Sequence, residues 1–289
     1  MDLPEAIDMK KVAAINDICG IGKCSLVADI SVLGAMGIQV CPLPTGIYTA
    51  QTVYPQHQNK SNTDMIDAFT ENWSAMGETF DGIITGFLLD PVQAGKVLNF
   101  VRRFHGPDTI LLVDPVMGDE GVTYANYSEE LHAIIAQLAE EADVLTPNLG
   151  EIFLLAGEAI DSAELEQDSE MVAHAARLAK KLLNKPGKVV AVTGIRLKSD
   201  DGKELLGNLL VTGEEETMYA IEPSGGYFSG TGDLFAAALL GGILKGKKPA
   251  DAMKLAADFL KEAAHSATLR GADPRAGSDF ETHLKLLIE

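Results

Sequence analysis

Cysteine is scarce, with three in 289 residues at positions 19, 24 and 41. Their spacings match no zinc pattern, and an odd count leaves one thiol over in any pairing, so a disulfide-stapled secreted fold is disfavoured. Positive charge is short as well. The chain carries 23 Lys and Arg against 42 Asp and Glu, a net charge of −19, and no local basic patch interrupts the acid. Such a surface repels phosphate backbones and anionic lipid, which argues against nucleic-acid and membrane partners; solubility is the simplest reading of the charge. No apolar run approaches the ~18–20 residues that span a bilayer, and the acidic opening MDLPEAIDMKK has no apolar signal core. A cytoplasmic protein is expected. Neither a Pro/Ser linker, nor a low-complexity tract, nor a solenoid-period repeat divides the chain, so a single domain over residues 1–289 is expected. The six histidines show no HExxH and no paired metal spacing, and are read as structural.

What is present is 46% hydrophobic residues and 28 glycines, arranged as short β-rich runs alternating with helical-period segments. The strand KVAAIN (11–16) leads into a helix over 24–37, then a strand over 38–44, a helix over 64–77 and a strand over 81–87. A helix over 91–104 precedes the strand 109–114, a helix over 128–142 precedes 143–148, and a helix over 173–184 precedes 188–194. Continuous apolar strands of this kind are parallel and covered on both faces. After Gly194 the pattern changes to two antiparallel strands, 204–213 and 216–222, and two closing helices, 233–246 and 249–269. The expected fold class is α/β, a three-layer α/β/α sandwich with a mostly parallel central sheet and helices on both faces. Ligands of such folds bind at the carboxyl ends of the strands.

The unusual residues fall at those ends. The loop from Asn16 to Lys23 is not a Walker phosphate loop, because Asp17 stands where Gly is needed and Cys24 where Ser or Thr is needed; it is not a dinucleotide loop, because Ser25 replaces the third Gly. It is a strand ending in a carboxylate followed by a glycine turn, and Asp17 serves equally as a ligand contact or a loop acid. Ser229-Gly230-Thr231-Gly232-Asp233 runs straight into an apolar helix. Its glycines let backbone N–H groups converge on an anion at a helix N-terminus. A carboxylate there, Asp233, makes sense as a base for an alcohol attacking a phosphoryl group, or else as a first-turn acid with Thr231 as N-cap. Asn148 and Glu151 in TPNLGE lie three apart on one helical face, a spacing that suits hydrated Mg²⁺ and equally a capping box. Asp114 ends an apolar strand in DPVMG, and the glycine-containing stretch 116–127 after it reads either as a mobile flap or as a surface loop. The acidic run 161–170 reads as solvated surface.

Taken in order, the polar first-strand end, Pro42-Leu43-Pro44-Thr45, Thr85-Gly86-Phe87, DPVMG, TPNLGE and GTGD resemble the ribokinase-like (PfkB-type) kinases, and within them the pyridoxal/pyridoxamine kinase branch. The resemblance covers nearly all of the chain, from about Lys11 to Leu269. It implies a ribokinase-like fold and an enzyme that uses ATP and Mg²⁺ to phosphorylate the 5′-hydroxymethyl group of a vitamin B6 vitamer, and it implies a homodimer; a need for K⁺ is left open. Asp233 would be the catalytic base, and the amides of Gly230, Thr231, Gly232 and Asp233 would stabilise the transferring phosphate. Asp114, Asn148 and Glu151 would lie near the ATP phosphates, with Asp114 and Glu151 at the metal, and Thr146 and Thr193 near the nucleotide. Asp17, Thr45 and Phe87 would form the vitamin side of the pocket. Better-known pyridoxal kinases carry Ser at the position of Asp17 and often Tyr at that of Phe87, so preference among vitamers is open. Hydroxymethylpyrimidine kinases typically begin with a Gly-rich segment that NDICGIGKC lacks. Another small alcohol as acceptor, or a non-catalytic nucleotide- or vitamer-binding sensor on the same fold, are the alternatives.

Overall fold

The computed structural model describes residues 9–119, 122–158, 169–199, 201–223 and 225–288. Most of the acidic run 161–170 and of the N-terminal segment lies outside the described residues. The strands are β1 (Lys11–Cys19), β2 (Gln39–Tyr48), β3 (Asn59–Ser61), β4 (Gly82–Thr85), β5 (Ile110–Val113), β6 (Gly118–Asp119), β7 (Val122–Thr123), β8 (Val144–Leu145), β9 (Val189–Lys198), β10 (Glu204–Val211) and β11 (Glu216–Ile221). The helices are α1 (Ser25–Ala35), α2 (Thr63–Ala75), α3 (Pro91–Phe104), α4 (Glu129–Glu141), α5 (Leu149–Leu155), α6 (Ser169–Lys181), α7 (Thr231–Leu244) and α8 (Pro249–Leu269). None of these helices is long and apolar enough to cross a membrane.

One nine-stranded sheet has the order β11-β10-β9-β8-β5-β4-β1-β2-β3. The strands β2, β1, β4, β5, β8 and β9 pair in parallel, while β3 and the β10–β11 pair run antiparallel at the two edges. Alternation along the strands feeds two cores. Ala13, Ile15, Leu111, Val113 and Leu145 pack with α2 to α6 on one face. Val12, Ala14, Leu112, Val144 and Ala191 pack with α1, α7 and α8 on the other. A period of two in a strand buried on both sides requires apolar residues at every position, which is why these strands read as unbroken apolar runs. The three-layer mostly parallel architecture is the expected one.

The order places a switch point between β1 and β4, because α1 carries β1 to β2 on one side while α3 carries β4 to β5 on the other. A crevice opens at the carboxyl ends of such a strand pair. Local chemistry agrees with the ends of α3: Asp90 caps the Gln93 N–H, Pro91 supplies the first turn, and Arg102 and Arg103 sit at the negative C-terminal end. Several differences from expectation are instructive. β1 continues to Cys19, with a register shift against β2 between Asn16 and Ile18. β9 continues past Gly194 to Lys198, pairing with β10. The stretch after Asp114 forms a short hairpin, β6 against β7, whose base is tied down by Asn148 and Glu151 rather than lying loose.

Candidate active site

Three chain segments meet at the carboxyl ends of β1, β4 and β5: the loop Cys19–Cys24, the glycine loop before α7, and Asp114. Their meeting is a matter of backbone clearance. Gly230 is the N-cap of α7 at φ +82°, a left-handed conformation that L side chains rarely adopt. A Cβ there would stand 2.2 Å from the Lys23 carbonyl oxygen and 2.9 Å from the Cys24 Cβ. Glycine is therefore required twice over, by conformation and by contact. Thr231 as N-cap is not what is found; Thr231, Gly232 and Asp233 are the first turn of α7, and their orphan N–H groups form the positive end of the helix. Gly232 is exposed, and a Cβ placed on it would lie 3.8 Å from Asp114 Oδ2, so the loop faces that carboxylate.

Asp233 points away from its helix toward β1 and α1. Its Oδ1 accepts from Asn16 Nδ2 at 3.1 Å, and the carboxylate also takes the Ser25 backbone N–H. Burial, with Asp17 nearby, pushes it up to about 6, against the lowering effect of those two donors. A carboxylate with that affinity is ionised at neutral pH and still a useful proton acceptor. Ser25 is the one non-glycine residue at positive φ among the described residues, at +52°. The strained residue thus lies at the point where α1 touches the candidate base.

Asp17 is buried rather than a solvated loop acid. The Cys19 thiol donates to its Oδ2 at 3.2 Å, and the Ser25 hydroxyl is a second neutral partner; burial raises it. Around it stand Cys19, Cys24, Tyr48 and Phe87, one apolar cluster, with Phe87 edge-on to Tyr48 at a centroid distance of 6.4 Å. Thr45 is buried within β2, its carbonyl accepting from Gln93 Nε2 at 2.9 Å. The Asp17 and Phe87 N–H groups meet at one Asn16 oxygen, and Thr45 lies on the adjoining strand β2.

Asp114 Oδ1 accepts from Thr146 Oγ1 at 2.9 Å, and burial, then Asp233, raise its carboxyl above the ordinary range. Asn148 and Glu151 form a capping box at the start of α5: Asn148 Oδ1 accepts from the Glu151 N–H and Glu151 Oε2 from the Asn148 N–H, both at 2.9 Å. Glu151 Oε1 accepts from the Met117 N–H at 3.0 Å. Burial, then Asp114, push Glu151 well up. Thr193, which lies within β9 rather than at a strand end, forms a parallel β-bridge with Asn148. Asp114, Glu151 and Asp233 therefore concentrate acid with hydroxyl and amide partners, an arrangement that a divalent cation would relieve. Among the described residues, no group of three or more His, Cys, Asp or Glu is placed to hold a metal by itself. The arrangement fits hydrated Mg²⁺ shared with a phosphate ligand, which needs few protein oxygens.

The motifs give no role to Asn16, Ser25 or Asp29. Asp29 is 1% exposed on the inner stripe of α1, among Leu26, Ala28, Val32 and Leu33. An acid in an otherwise apolar helical stripe is the signal that could have found it.

The family model described as phosphomethylpyrimidine kinase matches residues 22–275. A pyridoxal kinase from Burkholderia thailandensis is 25% identical over 276 residues, 92% of this chain and 90% of the relative. A relative from Saccharomyces cerevisiae, provisionally designated a pyridoxal kinase, is 28% identical over 190 residues; the match spans 63% of this chain and 57% of that protein's length. Among solved structures, a Bacteroides thetaiotaomicron protein in an orthorhombic form with pyridoxal, provisionally designated a phosphomethylpyrimidine kinase, has a TM-score of 0.86 at 31% identity, covering 97% of this chain and 96% of that one. The chain belongs to the phosphomethylpyrimidine kinase family, within the ribokinase-like kinases.

Proposed function

We propose that this protein transfers the γ-phosphoryl group of ATP to the 5′-hydroxymethyl group of a vitamin B6 vitamer. The observation that carries the reading is the half-buried Asp233 carboxylate, held by two donors beside an open helix N-terminus whose N–H groups can take a phosphate. The B6 vitamer as acceptor is supported by the pyridoxal-containing Bacteroides structure and by the Burkholderia relative.

In this reading the hydroxymethyl oxygen attacks the γ-phosphorus in line, the bond from phosphorus to the β–γ bridging oxygen breaks, and ADP leaves. Asp233 accepts the hydroxyl proton. The N–H groups of Gly230, Thr231, Gly232 and Asp233 face the transferring phosphoryl oxygens, where fixed dipoles stabilise developing charge without reorganising. Asp114 offers Oδ2 on the side of the glycine loop and would hold Mg²⁺ together with Glu151, whose two oxygens also take backbone N–H groups. Mg²⁺, when bound, would neutralise phosphate charge. Thr146, Asn148 and Thr193 line the nucleotide side, while Asp17, Thr45 and Phe87 form the acceptor side. The hydrogen bonds from Thr146 to Asp114 and between Asn148 and Glu151 keep these groups in place.

The family is named for a pyrimidine acceptor, which makes hydroxymethylpyrimidine the second reading. Competition between the acceptors separates the two. With Mg·ATP, ADP release is measured for pyridoxal, pyridoxamine, pyridoxine, hydroxymethylpyrimidine and ribose. The highest kcat/KM for a B6 vitamer is expected; the highest for hydroxymethylpyrimidine transfers the assignment to the second reading.

A further inference from the structure

One side chain without an assigned role joins the two halves of the site. Asn16 is 2% exposed, at the end of β1. Its Nδ2 donates to Asp233 Oδ1 at 3.1 Å and to Asp29 Oδ2 at 3.3 Å. Its Oδ1 accepts the Phe87 N–H at 3.0 Å and the Asp17 N–H at 3.1 Å. All of the amide's hydrogen-bonding capacity toward neighbours is thus spent on α7, α1, the β4 loop and β1 itself. The backbone makes room for it: a Cβ on Gly86 would stand 2.4 Å from Asn16 Nδ2.

We propose that Asn16 is a positioning residue for phosphoryl transfer, fixing the Asp233 carboxylate and the Phe87 wall of the acceptor pocket in one frame, with Asp29 as its buried anchor. The inference rests on the reading of Asp233 as base. An amide is the side chain this position needs. A carboxylate would add charge among Asp17, Asp29, Asp114 and Asp233, and an aliphatic group would leave the Phe87 N–H and a carboxylate oxygen without a partner in a dry site. Among the described residues Asp29 Oδ1 has no hydrogen-bond partner, and Asn16 ties this buried acid to the site through Oδ2. Burial, and then Asp233, push Asp29 well above the ordinary carboxylate range.

The test uses the full chain with Mg·ATP and its best acceptor, comparing wild type, Asn16→Leu, Asn16→Ser, Asp29→Leu and Asp233→Asn. Each variant is characterised by kcat, by KM for both substrates, by ADP affinity from calorimetry and by thermal unfolding. A misplaced base lowers the rate with little effect on nucleotide binding, so Asn16→Leu is expected to lose about 10-fold to 100-fold in kcat, with ADP affinity within about twofold of wild type. Asp29→Leu is expected to lose kcat in the same sense by a smaller factor. Should Asn16→Leu not fold, Asn16→Ser decides: a loss confined to kcat supports the proposal. A wild-type kcat in either folded Asn16 variant overturns it, as does a parallel loss of kcat and ADP affinity, the mark of a merely structural role. Asp29→Leu with wild-type kcat removes Asp29 from the frame. Wild type without acceptor-dependent ADP release overturns the function reading and this proposal together, whereas an active wild type matched by Asn16→Leu overturns this proposal alone.

Discussion

Gly230 and Lys23 come so close that any side chain on the first would collide with the carbonyl oxygen of the second, 2.2 Å from the Cβ position. The contact joins the loop after β1 to the start of α7 and so brings Asp17 and Asp233, 216 residues apart in the chain, to one site. The candidate phosphate loop and the candidate acceptor side thereby meet along one seam.

Gly230→Ala tests that seam. The left-handed conformation alone costs an L residue about 1–2 kcal/mol, and the collision adds to it. Urea unfolding is expected to show at least that loss, and calorimetry a weaker ADP affinity, because the N–H groups of the first turn shift. Unchanged stability and ADP affinity would show that the seam tolerates a side chain.

Asp233→Asn is expected to cost about 10²–10⁴-fold in kcat, the range of a positioned base. The same change should stabilise the fold. Asp233 sits at about 6 in the folded protein against 3.8 as an ordinary carboxyl, so its stability contribution is full below pH 3.8 and lost as pH rises through 6. Above that pH the ionised, half-buried group costs on the order of 1–3 kcal/mol, at the low end where solvent reaches it. The melting temperature of Asp233→Asn should therefore exceed that of wild type at pH 8 and match it near pH 3.8. A lower melting temperature at pH 8 would contradict a burial-raised carboxyl.

The pH profile follows from the same group. Proton acceptance needs ionised Asp233, so kcat/KM should fall about tenfold per pH unit below about pH 6. Asp233→Asn should lack that limb in its residual rate. A profile flat down to pH 5 would move the acid limb away from Asp233.

Asp17 is expected to decide among acceptors. Its partners are a thiol and a hydroxyl, both neutral, so its carboxylate is available to a cationic amine or a ring N–H. Asp17→Ser is expected to lower kcat/KM for pyridoxamine relative to pyridoxal by about tenfold, the worth of one charge-assisted hydrogen bond. An unchanged ratio would place the selecting contact elsewhere.

Much of the architecture was legible in the sequence because its signals are local. α3 begins at Asp90-Pro91 and ends after two arginines, and its expected and observed limits coincide. Strands such as β5 are apolar throughout because both faces are covered. The motif residues were legible as strand-end and helix-start chemistry: the structure brings the Asp17 and Phe87 N–H groups to one Asn16 oxygen, Asp114 beside Gly232, and Asn148 and Glu151 into a capping box. Elsewhere the decisive contacts are distant. The register shift that carries β1 on to Cys19 depends on β2, which no local pattern encodes. Asn16 reads as the end of an apolar strand, and its importance arises only when Asp233 arrives 217 residues later. Ser25 reads as an ordinary helix start, and only packing against Asp233 and Asp17 shows why its backbone is strained.

The most direct measurement is ADP release by purified wild type and Asp233→Asn with Mg·ATP and each B6 vitamer in turn. The expected result is vitamer-dependent turnover in wild type, with formation of the 5′-phosphate, falling by about 10²-fold or more in the variant while ADP still binds. Turnover in Asp233→Asn equal to wild type would remove the base from the mechanism, and ATP binding without phosphorylation of any vitamer would contradict the proposed reaction itself.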